Sequence, residues 1–273
     1  MSKTPSNKFV PIKGNHAIEE VIFSVIFDDI IDPSNFTKNF AFEGFSEERK
    51  LITTQKITAT FKDGSLDDQK SPPITIGFEI LHNSKNDRDN PMSIIAFKND
   101  LENERCYFNY HLSIYTDWET EVENFQKFVG HFSEVVETNP KINAFMLTYR
   151  DVFLWEGDKK EFDIKKAIKK GSEIFPKHYL DKSVARINAQ STYNQTDYQL
   201  DDIIEITFSD KVGFLRIHHS NIRSSDNFKE AKHSIESGRF RTFFDSAHMA
   251  NKAVFTEIIN QELIEQVGLL KTN

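Results

Sequence analysis

Cysteine is nearly missing from this chain: Cys106 is the only one in 273 residues. A lone thiol closes no internal disulfide and supplies no cysteine cluster for zinc, which points to a reducing compartment, the cytoplasm. Glycine and proline are also scarce, at 10 and 8. The glycines stand apart, so neither a phosphate-cradling Walker loop nor a dinucleotide fingerprint is present. No HExxH run and no paired cysteine ligands occur, and no metal site or cofactor is expected. Nor is there an apolar run near the roughly 20 residues that span a bilayer. The opening "MSKTPSNKFVPIKGN" has lysines with no apolar stretch behind them to act as a signal peptide, so no membrane partner is expected. Basic residues are outnumbered, 34 against 42 acidic, for a net charge of −8. That balance opposes general nucleic-acid binding, which draws its affinity from neutralised phosphates.

What the chain has in quantity is phenylalanine, 25 against 7 tyrosines and 2 tryptophans. Many alternate with polar residues in strand-like runs, the pattern of an aromatic core. "IEEVIFSVIF" (18–27) is apolar on both faces, as in a strand covered on both sides. Phe36, Phe40 and Phe45 suggest a short helix after it. Residues 50–62 read as a strand ending at Asp63-Gly64, a turn dipeptide, and "ITIGFEIL" as another. Between them "LDDQKSPP" is a polar loop, as is "HNSKNDRDNP". Strands follow at 92–98 and 105–114; in the second, Cys106, Phe108, Tyr110, Leu112 and Ile114 share the core face.

In "YTDWETEVENF" (115–125), Thr116 and Glu119 have capping-box spacing. Trp118, Val122, Phe125, Val129, Phe132 and Val136 then recur at spacings of 4, 3, 4, 3 and 4, one stripe of a helix that should end at Asn139-Pro140. "KINAFMLTYRDVFLWEGD" has two mainly apolar alternating sets and reads as a central strand, with Arg150 and Asp151 on opposite faces and each in need of a partner. "EFDIKKAIKKG" reads as a short helix capped by Asp163 and closed by Gly171. Further strands are expected at 182–193, 200–209 and 212–219, and a long helix from Asp245 or Ser246 to Gly268 with Phe255, Ile258, Ile259, Leu263, Val267 and Leu270 on its apolar face.

Short connections between successive strands argue for antiparallel sheets, so the fold class expected is α+β, covered by two long helices. The element order suggests two similar β-α-β-β-β-α halves, 1–140 and 141–273, packed as one unit.

The ordered signatures "HAIEEVIFSVIF", "YTDWE", "LTYRD", "EFDIKKAI" and "AHMANKAVFTEIINQELIEQVG" resemble a sporadically distributed family of uncharacterised bacterial proteins across nearly the whole chain. Tyr115, Trp118, Glu119, Tyr149, His248 and Phe255 match its pattern most plainly. The family usually has an arginine before the tyrosine and an asparagine two residues after it, where this chain has Thr148 and Asp151. The resemblance implies no activity, and its patchy distribution implies a mobile or defence-associated, multi-gene locus.

Two function classes follow. The first is a non-enzymatic interaction or ligand-sensing protein with a protein partner or self-association, its ligand contacts at Arg150, Lys165, Lys166, Lys169 and Lys170. The lysine segment 159–170 is the one place where a local nucleic-acid contact is expected, although Glu156, Asp158, Glu161 and Asp163 are interspersed. The alternative is a hydrolase or nuclease using His218, His248 and Asp151. It would need a cleft that gathers all three. His218 and His219 are strand neighbours pointing to opposite faces and so do not suit one metal ion.

Overall fold

The computed structural model describes residues 7–14, 16–34, 49–56, 61–62, 65–66, 74–82, 84–86, 89–136 and 140–269. The suggested helix around Phe36, Phe40 and Phe45, the Asp63-Gly64 turn, most of "LDDQKSPP", Asn139 and Leu270 lie outside them. The strands are β1 (Lys8–Pro11), β2 (Ile18–Phe27), β3 (Arg49–Lys56), β4 (Phe61–Lys62), β5 (Ser65–Leu66), β6 (Ile74–His82), β7 (Ser93–Asp100), β8 (Arg105–Leu112), β9 (Ile142–Glu156), β10 (Val184–Asn194), β11 (Gln199–Ser209) and β12 (Phe214–Ser224). The helices are α1 (Trp118–Val135), α2 (Ala231–Glu236), α3 (Arg239–Ile258) and α4 (Gln261–Gln266). The fold is α+β with one large antiparallel sheet of 10 strands; β4 and β5 form a separate hairpin. The chain divides into two compact units, one of residues 1–22, 146–224 and 242–273, the other of 23–145 and 225–241.

In the second unit the strand order is β2-β8-β7-β6-β3, with α1 packed on it. The stripe read from the sequence is the buried face: Val122, Phe125, Val129 and Phe132 are sealed from solvent. Phe125 meets Phe23, Phe108 and Tyr110, and Phe132 meets Phe27, Phe97 and Phe108, at ring separations of 4.9 to 6.3 Å. Burying such rings, with aromatic pair geometry added to area, is the main stabilising contribution of this unit. Trp118 stacks on Phe23 at 5.5 Å and anchors the first turn. Strands β6 and β7 run so close at Gly77 that a Cβ there would stand 2.2 Å from the Phe97 carbonyl oxygen, so only glycine fits.

The helix start departs from the expected capping box. Asp117 is the cap, its carboxylate accepting from the Thr120 amide at 2.9 Å. Thr116 instead donates to Glu121 at 2.7 Å, and Tyr110 donates to the same carboxylate at 3.0 Å, which lets Glu121 sit buried. Glu119 pairs with Arg241 at 2.5 Å.

In the first unit the order is β10-β11-β12-β9-β2, and β1 pairs with β9. The 15 residues of β9 form the central strand expected, largely buried on both faces. Phe153, Phe208, Ile217, Phe255 and Ile258 belong to one core. Helix α3 begins at Arg239, after Gly238, rather than at Asp245 or Ser246, because Phe240, Phe243 and Phe244 carry the apolar stripe back through that stretch. Nor does it run to Gly268. The chain leaves the helix after Ile258, Asn260 caps α4 by accepting from the Leu263 amide at 3.0 Å, and the Asn260 amide donates to the Ala167 carbonyl at 2.8 Å. Ile168 and Ile259 form a β-bridge beside it. The other half of that bridge comes from "EFDIKKAIKKG", which is not a helix but two 3-10 turns, Lys159–Glu161 and Ile164–Lys166. Asp163 does cap the second, and Gly171 has φ of +81°.

Candidate functional site

Strands β9 and β12 lie side by side in the first unit, and the strand pleat sends alternate residues to opposite faces. Tyr149, Asp151 and Phe153 go one way together with Leu215, Ile217, His219 and Asn221, toward α3. Thr148, Arg150, Arg216, His218 and Ser220 go the other way. Each face carries one polar cluster.

Under α3, the Tyr149 hydroxyl and His248 Nδ1 are 2.7 Å apart. His219 Nδ1 is 2.8 Å from Asn251 Oδ1, and its Nε2 is 2.6 Å from Asp202 Oδ1. Asn221 donates to the same Asp202 oxygen at 3.4 Å. Asp151, His219, His248 and Asn251 are 5%, 2%, 9% and 8% exposed, so this layer is enclosed rather than open to a substrate. Burial pushes the Asp151 carboxyl up to about 7, opposed only by the charge of His219. Burial, aided by Lys252, lowers His248 to about 4 and keeps the imidazole neutral at physiological pH, while Asp245 acts weakly in the other direction. For Asp202 burial works upward, but the hydrogen bond and charge of His219 and the bond from Asn221 outweigh it and hold the carboxyl below its ordinary value.

On the second face, Ser220 Oγ lies 2.8 Å from Thr148 Oγ1 and 3.3 Å from His218 Nε2. Arg150 pairs with Glu20 at 2.7 Å, Arg186 with Glu205 at 2.6 Å, and Arg216 approaches Glu19 at 3.6 Å. Burial lowers the His218 imidazole and the Arg150 charge lowers it further, against Glu205 and Glu20. Both hydroxyls are buried, which is poor geometry for a nucleophile that must meet a carbonyl or phosphate.

The hydrolase constellation is therefore split. Asp151 and His248 share the layer under α3, and His218 is on the opposite face of the sheet. Arg150 has the partner that the sequence demanded, on the face opposite Asp151. The lysines are largely occupied: Lys165 pairs with Asp181 and Lys169 with Glu257, each at 2.5 Å, while Lys166 donates to the Asn7 carbonyl at 3.0 Å and lies over the Trp155 ring. Lys170 is exposed. Among the described residues no group of three or more His, Cys, Asp or Glu side chains is arranged to hold a metal ion. A groove of about 640 Å³ along α1 is lined by Glu123, Lys127, His131, Glu134, Ile235 and Arg241, none of them singled out by the sequence.

No protein-family model matches the chain, and no curated protein matches it. The positions that carry the family resemblance fall into packing and pairing roles. Trp118 and Glu119 open α1, the Tyr149–His248 pair joins β9 to α3, and Phe255 meets Phe153 at 6.0 Å. Sequence reasoning missed Asp202, Asn221 and Asn251, and weighed His219 only as a metal ligand. One signal was available: His219 continues the Leu215, Ile217 alternation, so it is a polar residue at a core position, and Asn251 follows His248 by three residues on the same helix face.

Proposed function

We propose that this chain is a non-enzymatic interaction or ligand-sensing protein of the cytoplasm, a component of a bacterial multi-gene, defence-like system. The observation that carries the proposal is the enclosure of the Asp151, His219, His248 and Asn251 layer, whose imidazoles bond to side chains inside the protein instead of facing a cleft. A buried polar layer of this kind specifies how a helix seats on a sheet. Two long helices, α1 and α3, cover the sheet in this reading. The two β-α-β-β-β-α halves are structural counterparts: β2 neighbours β8 before α1 as β9 neighbours β12 before α3. The resemblance to a patchily distributed bacterial family supports the multi-gene setting.

A second reading, hydrolase chemistry, draws on the 3.3 Å contact of His218 with Ser220. One experiment separates the two. The tagged chain is captured from its native host, bound proteins and small molecules are identified by mass spectrometry, and S220A and H248Q are taken through the same capture. The interaction reading expects a stoichiometric companion retained by both variants. Hydrolysis of a phosphate or acyl ester by the purified chain, abolished by S220A with folding intact, would replace it with the second reading.

A further inference from the structure

The two edges of the sheet are built differently. At one end β3 carries Arg49, Lys50 and Lys56, and its pairing with β6 is broken by a register shift between Thr54 and Gln55. Cations and bulges of this kind are how sheet edges avoid pairing with other chains. At the other end β10 has a single cation and no bulge. It runs for 11 residues, "VARINAQSTYN", in unbroken register with β11 and, among the described residues, pairs with nothing else. Arg186 is its only charge, and it has no proline or glycine. Asn188 to Asn194 are exposed, Tyr193 at 52%, so both faces of this half of the strand meet solvent. The edge is roughly 35 Å of regular backbone at about 3.4 Å per residue, with alternate N–H and C=O groups directed outward.

We propose that β10 is a self-association edge, pairing antiparallel with β10 of a second copy about a two-fold axis at Ala189. The proposal rests on the interaction reading above and names its partner. The sequence of the strand is self-complementary about that residue. Ala189 would face its own copy, Asn188 would face Gln190, and Arg186 would face Thr192. No like charges oppose each other, and the two Arg186 residues stand well apart on either side of the axis. Thr192 donates to Asp201 on β11 at 2.6 Å. The Arg186 arriving across the axis, held at 2.6 Å by Glu205 of its own copy, would lie on the same sheet face as Asp201, two strands away, and would meet no opposing cation. An isologous contact of this kind closes on itself, so it gives a dimer rather than a fibre.

The test is sedimentation equilibrium of the full chain with charges placed on the axis, where the exposed Ala189 tolerates them. The wild type should be a dimer. A189K and A189E should each weaken dimerisation at least about tenfold, because each sets a charge against its own copy. Mixed together, they should restore a dimer containing one of each. A monomeric wild type, or variants that associate as tightly as the wild type, or a mixture that stays monomeric, would overturn the proposal. A companion captured from the host by a monomeric chain would leave the interaction reading standing while this edge pairing fell.

Discussion

At the scale of single residues, the chain buries charges and hydroxyls together with their partners, some far in sequence, as Tyr149 and His248 are, and some near. Glu121 is a near case: it lies on the buried face of α1 and is held by Tyr110 and Thr116, 11 and 5 residues away. The carboxylate in turn pushes the Tyr110 phenol upward, after the larger effect of burial. Removing one donor leaves a buried acceptor short of a bond, which costs about 1–3 kcal/mol. Tyr110→Phe should therefore lower stability by about that amount in urea unfolding, whereas Glu121→Gln, able to keep a carbonyl acceptor, should cost less. A larger loss from Glu121→Gln than from Tyr110→Phe would contradict the hydrogen-bond account of the site.

At the scale of elements, periodicity was readable and termination was not. The α1 stripe and the doubly buried β9 both follow from apolar spacing, because the spacing is itself the packing face. The ends of α3 were hidden for opposite reasons. Its start lies in "GRFRTFFD", where arginines interrupt a phenylalanine stripe and make the segment look like loop. Its finish lies at Asn260, whose side chain caps α4 while its backbone amide donates to the distant Ala167 carbonyl. No local rule reports that contact, just as none reports that "DIKKAI" gives up a helix to bridge Ile259. Asn260→Ala removes the cap and should cost about 1 kcal/mol by the ordinary worth of an N-cap. Hydrogen exchange should show the loss in amides of α4, Leu263 first, with those of β7 and β8 unchanged. Faster exchange in β7 and β8 would place the effect elsewhere.

At the scale of the whole molecule, the candidate site was half legible. Asp151 and Arg150 stood out as charges in an apolar strand, and His248 through the family resemblance, but the constellation around them depends on which face each strand shows to α3. His218 was separated from the others by strand parity, and His219 took the place under the helix. The central claim, that this layer is enclosed scaffold, has a thermodynamic signature. Asp151 ionises near 7 when folded against 3.8 as its ordinary value, so the folded state holds the proton more tightly. Its contribution to stability is complete below about pH 3.8 and is lost as pH rises to about 7. His248 ionises near 4 against 6.5, so its contribution is complete above pH 6.5 and is lost as pH falls toward 4. The two slopes oppose each other in the wild type, worth on the order of 4 kcal/mol for Asp151 and 3 kcal/mol for His248 at about 1.36 kcal/mol per pH unit. The decisive measurement is urea unfolding from pH 4 to 8 for the wild type, D151N and H248Q. D151N should leave stability rising from pH 4 to 6.5, and H248Q should leave it falling from pH 4 to 7. Profiles that keep the shape of the wild type in both variants would mean that Asp151 and His248 titrate as solvated groups in an open chamber, and the enclosed scaffold would be refuted.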